Sequence, residues 1–273
     1  MNETFSFPRF RTYFLYDLKQ MWRRNSRAII LIGFASVIFY LMWVTLALVF
    51  GHSWNAPGLI PRAIVFYVAA FALVLYQTRT YGYLTERRAG SSWLMIPAST
   101  TEKFISMMLI TVLVLPIAFS VVYLASDALI VLLDPTASDP LISSFSTVID
   151  KYNNFMVNAG KSMGLSASIM ILPVILQLFC DFLFFLLCGI CFKRWKLAGA
   201  FAILIGLQFV LTSIIGIVAF NPHIEAWLTD IFADPDSVQQ TFSALIAWCN
   251  VVNVLFILGL GTGIFFRIKN LKH

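Results

Sequence analysis

Polar side chains interrupt three long apolar runs in the second half of the chain. Asp181 lies well inside one of these runs, and Gln177 lies one helical turn before it. A carboxylate in hydrocarbon costs about 2.5–3.5 kcal/mol on insertion scales, so such residues usually line a solvated path or fix helix packing through hydrogen bonds. Both interpretations stay open. The residues of this candidate polar pathway are Gln177, Asp181, Gln208, Asn250 and Asn253.

Residues 160–164 read Gly-Lys-Ser-Met-Gly and match two catalytic patterns only in part. A G-x-S-x-G nucleophile needs a strand-to-helix turn and a histidine in reach. The histidines are His52, His223 and His273, and none falls within a late apolar run. A phosphate-binding loop needs a glycine where this chain has Phe155. The sequence therefore predicts no catalytic residue, no nucleotide site and no enzyme activity in this chain.

Cys188 and Cys191 form a C-x-x-C pair at the end of an apolar run. Redox or metal chemistry would require exposure and further ligands, and no second pair or nearby histidine is present. All four cysteines fall inside apolar runs, so they cannot form an extracellular disulfide framework. We expect packing cysteines, and neither a metal nor a cofactor in this chain.

The composition is that of a membrane protein. Of 273 residues, 60% are hydrophobic and 12% are charged, whereas soluble domains carry about 25% charged residues. A bilayer can accommodate this excess of apolar surface. The net charge of +6 is typical of cytoplasmic anchoring charges, so no nucleic-acid partner is expected. We predict an all-α integral membrane protein that forms a single transmembrane domain over residues 1–273.

Six apolar runs are candidate membrane-spanning helices. They are continuous rather than alternating, which favours helices over a closed barrel, and about 20 residues suffice to cross the hydrocarbon. The second run is long enough only if its helix continues through Thr78–Leu84. The predicted spans are residues 28–50, 63–84, 104–133, 166–192, 197–220 and 241–266.

The basic residues predict the orientation. With both termini in the cytoplasm, only Arg62, Lys151 and Lys161 of the 19 Lys and Arg residues lie outside, which is the positive-inside pattern. We expect a location in a bacterial inner membrane. The outer segments are 134–165 and 221–240. Residues 1–27 read as an amphipathic helix on the inner interface, with Phe10, Phe14, Leu18, Met21 and Trp22 on its apolar arc.

The cytoplasmic loop 85–103 has the signals of a rigid elbow. Gly90 suits a helix C-cap, Pro97 stops a helix, and Ser99 with Glu102 predicts a capping box that starts the third span. Between them, residues 93–96 form an apolar ledge (Trp-Leu-Met-Ile). A rigid, basic and partly apolar ledge suits docking to another protein.

This loop resembles the coupling region of type-2 permease subunits of the ATP-binding cassette transporter superfamily. The family pattern has an acidic-basic pair, a glycine, a leucine-rich stretch, a proline, Ser/Thr and Glu-Lys between the second and third spans. The residues that carry the resemblance are Glu86, Arg87, Gly90, Leu94, Pro97, Ser99, Glu102 and Lys103. The six-span layout is similar too, whereas the outer segment 134–165 is longer than expected.

The resemblance implies a permease subunit of an ATP-driven transporter, an exporter, in which a separate ATPase subunit binds ATP. It also implies a second permease copy, identical or not, beside membrane lipids. The implied docking residues are Glu86, Arg87, Arg88, Gly90, Leu94, Pro97, Ser99, Glu102 and Lys103.

Two other functions stay open. One is a non-transporting membrane subunit that passes ATPase motion to an outer partner through residues 134–165. The other is a secondary transporter, which would need paired acidic residues in mid-membrane, where only Asp181 qualifies.

Overall fold

The computed structural model describes residues 5–51, 55–86, 90, 93, 95–137, 139–143, 167–219 and 235–270. These residues are helical, with turns and no strand among them, so the predicted all-α class is confirmed. A 3₁₀ turn, Gly82–Thr85, follows the third helix. The helices are α1 Phe7–Gly33, α2 Ala35–Val49, α3 Leu59–Thr80, α4 Thr100–Leu133, α5 Ala167–Cys191, α6 Lys196–Ala219 and α7 Pro235–Lys269.

Several helices are long and apolar enough to cross a membrane. In the described part of the chain four qualify, in α3, α4, α6 and α7, and a fifth is added if the bent pair α1–α2 crosses once. The apolar stretch Ile175–Cys191 of α5 is shorter than these spanning candidates. The predicted extension of the second run is seen in part: α3 ends at Thr80, and with its 3₁₀ turn it forms one segment, Leu59–Thr85. These helices are compatible with a multi-pass membrane protein.

The first helix ends at a different residue from the predicted boundary. The sequence predicts an interfacial helix that ends near residue 27, but α1 continues through Asn25–Arg27 and breaks at Phe34, where α2 turns away by 47°. Polar residues do not by themselves end a helix. The break lies where α1 meets α4: a Cβ on Gly33 would lie 3.0 Å from Val122 Cγ1.

Helix α4 contains a π-helical segment, Leu109–Val114. Pro116 lies two residues after the end of this segment, and proline cannot donate the hydrogen bond that a regular helix requires there. Such insertions are common at functional positions and at bends. Gln77 of α3 is buried beside this segment, with its Nε2 atom 3.5 Å from the Thr111 carbonyl.

Helix α5 packs in the middle of the bundle, between α3 and α7. It approaches α3 closely at Gly189, where a Cβ would lie 2.8 Å from the Thr78 Cα and closer still to its carbonyl oxygen. One hydrophobic cluster connects α5 with the start of α4, the end of α3 and α7. Its largest buried members include Tyr81, Trp93, Met107, Leu186 and Ile264.

Candidate functional site: the elbow and the intramembrane polar residues

The predicted capping box starts α4. The Ser99 Oγ atom accepts a hydrogen bond from the Glu102 backbone N–H at 3.2 Å, and Glu102 Oε2 accepts one from the Ser99 N–H at 2.9 Å. Helix α4 accordingly begins at Thr100, directly after Ser99. The elbow, residues 85–103, is therefore joined to α4 by a fixed turn, as its sequence predicts.

Glu102 also binds the first helix. Its carboxylate accepts hydrogen bonds from Arg9 at 2.7 Å (Nη2 to Oε1) and 2.8 Å (Nε to Oε2), and from the Ser6 N–H at 2.9 Å. The Glu102 side chain is fully buried, whereas Arg9 is one-third exposed. A bidentate arginine–carboxylate pair is strong and directional. Glu102 thus holds α1 against α4 rather than facing outward.

Trp93 anchors the elbow to the bundle. Its indole is buried, and Nε1 donates a hydrogen bond to the Tyr13 hydroxyl at 3.1 Å. Lys103 Nζ donates to the Trp93 carbonyl at 3.1 Å and lies 4.6 Å from the Trp93 ring centroid. Lys103 is therefore buried as well. The side chains of the predicted apolar ledge differ in burial: Trp93 is buried, whereas Met95 is 83% exposed.

A third contact between α1 and its neighbours is made by Asp17. This buried carboxylate accepts hydrogen bonds from the Tyr81 hydroxyl at 2.9 Å and from Ser106 Oγ at 2.7 Å. Arg9, Tyr13 and Asp17 are spaced four apart, so they lie on one face of α1. We call these three residues, with their partners, the α1 clamp.

The clamp changes the interpretation of α1. The sequence pattern predicts an interfacial helix whose apolar arc faces the membrane, and Trp22 on that arc is 49% exposed. The structure adds that the neighbouring Asp17 is buried against other helices. The signal is present in the sequence: Asp17 falls beside the apolar arc, where a carboxylate is costly unless it has partners.

The implied docking residues divide into exposed and buried sets. Glu86 and Pro97 are exposed; Arg87, Arg88 and Leu94 lie outside the described residues. Gly90 is helical, and its N–H donates to the Glu86 carbonyl at 2.8 Å. The predicted helix end at Gly90 stays a prediction, because residues 91 and 92 lie outside the described residues. The buried docking candidates are Gly90, Ser99, Glu102 and Lys103.

The candidate polar pathway is only partly assembled. Gln177 Nε2 donates to Asp181 Oδ1 at 3.1 Å on α5, and the Cys180 thiol donates to the Asn253 carbonyl of α7 at 3.5 Å. Asn250 Oδ1 is buried. Gln208 of α6 is exposed, and among the described residues it forms no hydrogen bond with the others. The structure thus joins Gln177 to Asp181 within α5, and among the described residues it shows no hydrogen bond between side chains of the pathway candidates on different helices.

Sequence reasoning missed a buried ion pair at the opposite end of the bundle. Arg62 Nη1 lies 3.1 Å from Asp127 Oδ1, with side-chain exposures of 4% and 1%. Arg62 Nη2 also donates to the Asp139 carbonyl at 2.8 Å, and Asp127 Oδ2 accepts from the Leu141 N–H at 2.8 Å. The available signal is one basic and one acidic residue near the same predicted end of two neighbouring spans.

No family model, curated protein or solved structure matches this chain.

Proposed function

We propose that this chain is the transmembrane permease subunit of an ATP-driven exporter, and that the elbow couples it to a separate ATPase subunit. The proposal includes six spans, cytoplasmic termini, a second permease copy and a bacterial inner-membrane location. Its support is the multi-pass helical fold, the basic character of the predicted inner segments, and the family resemblance of the elbow sequence.

The observation that carries the proposal is the attachment of the elbow to its neighbouring helices. Glu102 binds α1 through Arg9, Trp93 binds α1 through Tyr13, and the Ser99 capping box fixes the start of α4. Because of these attachments, a displacement of the exposed tip at Met95 would be transmitted to α1 and α4 rather than absorbed by the elbow. A simple tether between two spans would not require such attachment.

The buried residues refine the docking surface within this proposal. Glu102 and Lys103 position the elbow, because both are engaged inside the chain. Direct contact with the ATPase is left to exposed residues such as Glu86, Met95 and Pro97, together with Arg87 and Arg88. Substitutions of the two sets should therefore differ: the buried set should affect coupling, and the exposed set should affect association.

The proposal is tested by affinity purification of the tagged chain from native membranes in mild detergent. We expect an ATP-hydrolysing subunit to co-purify with the wild type and to be lost from the Arg87→Glu/Arg88→Glu variant. Arg11→Glu/Lys269→Glu, which makes the same charge change at exposed positions of α1 and α7, should retain it. Absence of any ATPase from the wild-type complex would contradict the proposal and favour a secondary transporter.

The six-span arrangement has its own test. Single cysteines at the exposed positions Met95 and Ser143, in a cysteine-free background, should react with a membrane-impermeant maleimide from opposite sides of the membrane. Labelling of both cysteines from the same side would overturn the proposed topology.

A further inference from the structure

A basic pocket lies where α3 ends and α6 begins. An open pocket of about 400 Å³ is bounded there by Thr78 and Arg79 of α3, by the connection between α5 and α6, and by the first turn of α6. Its cationic side chains are Arg79, Lys193 and Lys196. Arg79 and Lys193 are exposed, and neither forms a hydrogen bond or an ion pair with another described residue. This pocket is separate from the α1 clamp.

The charges in this pocket are incompletely neutralised. Lys196 Nζ donates a hydrogen bond to the Gly82 carbonyl, and Glu86 is the carboxylate that interacts with it. Arg79 acts on Lys196 as a like charge. Within the described part of the chain, three cations thus face one carboxylate, and the positive end of the α6 dipole adds to the same potential. An anion in the pocket would relieve this repulsion.

Trp195 identifies the kind of anion. It borders the pocket, its indole is 83% exposed, and its backbone adopts φ 57°. A bulky residue rarely adopts this left-handed conformation, and such strain persists at sites where it serves a purpose. Here the left-handed backbone of Trp195 holds its large amphipathic ring beside three cations. Tryptophan with such exposure is typical of the headgroup level of a bilayer, where one part of the ring contacts acyl chains and the other contacts polar groups.

We propose that this pocket binds the phosphate group of an anionic phospholipid. Arg79 and Lys193 would contact the phosphate, and the Trp195 indole would pack against the glycerol and upper acyl region. A basic pocket between membrane helices on the cytoplasmic side is a known solution for lipid headgroups. The inference rests on the proposed membrane arrangement but not on the ATPase, because it needs only a pocket at headgroup level.

The test is native mass spectrometry of the purified chain titrated with phosphatidylglycerol or phosphatidylcholine in detergent. We expect phosphatidylglycerol to bind preferentially. Because each basic residue contributes about 1 kcal/mol near an anionic surface, Arg79→Gln/Lys193→Gln should weaken this binding about 30-fold. Arg11→Gln/Lys269→Gln, with the same loss of charge elsewhere, should change it less than about twofold. The proposal would be overturned if the pocket variant bound phosphatidylglycerol as tightly as the wild type, or if the control variant lost as much binding as the pocket variant.

Two further measurements test the indole and distinguish the lipid from a soluble phosphate. Trp195→Gly can adopt φ 57° without strain, so it should fold as well as the wild type yet bind phosphatidylglycerol several-fold more weakly. Unchanged lipid binding in this variant would contradict the role of the indole. Glycerol phosphate and inorganic phosphate at equal concentration should not displace the lipid. Displacement by either would overturn the lipid assignment in favour of a soluble phosphate.

Discussion

The two halves of the bundle differ in how much of each helix the chain itself covers. In α4, 33% of the most apolar window is buried, against 6% in α6 and 6% in α7. Helices α1, α3 and α4 share buried polar contacts at both ends of the bundle, whereas α6 and α7 expose large apolar side chains such as Phe209 and Leu255. The first group, with α5 packed against it, forms a cross-linked framework. The second needs lipid or another chain to cover it.

This contrast separates positions that determine folding from positions that face the surroundings. Contacts within the framework are polar, buried and geometrically specific, so single substitutions there should be costly. The exposed faces of α6 and α7 should tolerate apolar substitution, because the chain itself makes few contacts there. Matched pairs of variants, one in each region, can test the difference.

The largest effect is expected at the buried ion pair. Asp127→Asn leaves the Arg62 charge buried with weakened compensation, and breaking a buried pair costs about 3–5 kcal/mol. The matched variant Asp181→Asn changes a partly exposed carboxylate whose described side-chain partner is Gln177, so its effect should be small. Thermal unfolding in detergent measures both. Equal shifts in Tm would show that the two carboxylates do not differ as their burial indicates.

Helix contact gives the next comparison. Gly189→Ala places a methyl group against the Thr78 backbone, and overpacking of this kind costs about 1–3 kcal/mol. Gly206→Ala in α6 meets nothing within 4 Å, so it should be neutral or slightly stabilising. Size-exclusion profiles and Tm values would show whether Gly189→Ala destabilises the protein more than Gly206→Ala. A stable Gly189→Ala protein would mean that α3 and α5 are not in close contact at this point.

A smaller effect is expected in the α1 clamp. Glu102→Gln keeps the shape of the side chain but removes the charge that binds Arg9, and since Arg9 is one-third exposed, we expect a loss of about 1–2 kcal/mol. Hydrogen exchange should rise in the first turns of α1. Arg11→Gln, at an exposed position two residues after Arg9, serves as the control. Unchanged protection of α1 in Glu102→Gln would contradict the clamp.

The smallest effect should come from the cap. Ser99→Ala removes the acceptor for the Glu102 N–H and should cost about 1 kcal/mol. The control is Ser143→Ala, because the exposed Ser143 lies outside the framework helices α1, α3, α4 and α5. If both serines gave the same Tm shift, the capping box would not contribute to stability.

Local signals predicted much of this fold, and tertiary contacts account for the rest. Long apolar runs predicted the helices, and the Ser99–Glu102 spacing predicted the start of α4, because both depend on residues close in sequence. The break at Phe34 and the identity of the Asp17 partners depend on neighbouring helices. The position of Asp17 beside the apolar arc indicates that it needs partners, but no local pattern could identify Tyr81 and Ser106. For the elbow, the sequence predicted the capping box but could not show that Glu102 binds Arg9 of α1 or that Lys103 binds the Trp93 carbonyl.

The central claim, that the elbow docks on an ATPase subunit, is tested most directly by site-specific photo-crosslinking in native membranes. Met95 and Leu133 offer a matched pair: both are 83% exposed, one on the elbow and one at the far end of α4. A photo-reactive amino acid at position 95 should give an adduct with an ATP-hydrolysing protein, and the same group at position 133 should not. No such adduct from position 95, or equal adducts from both positions, would contradict the account.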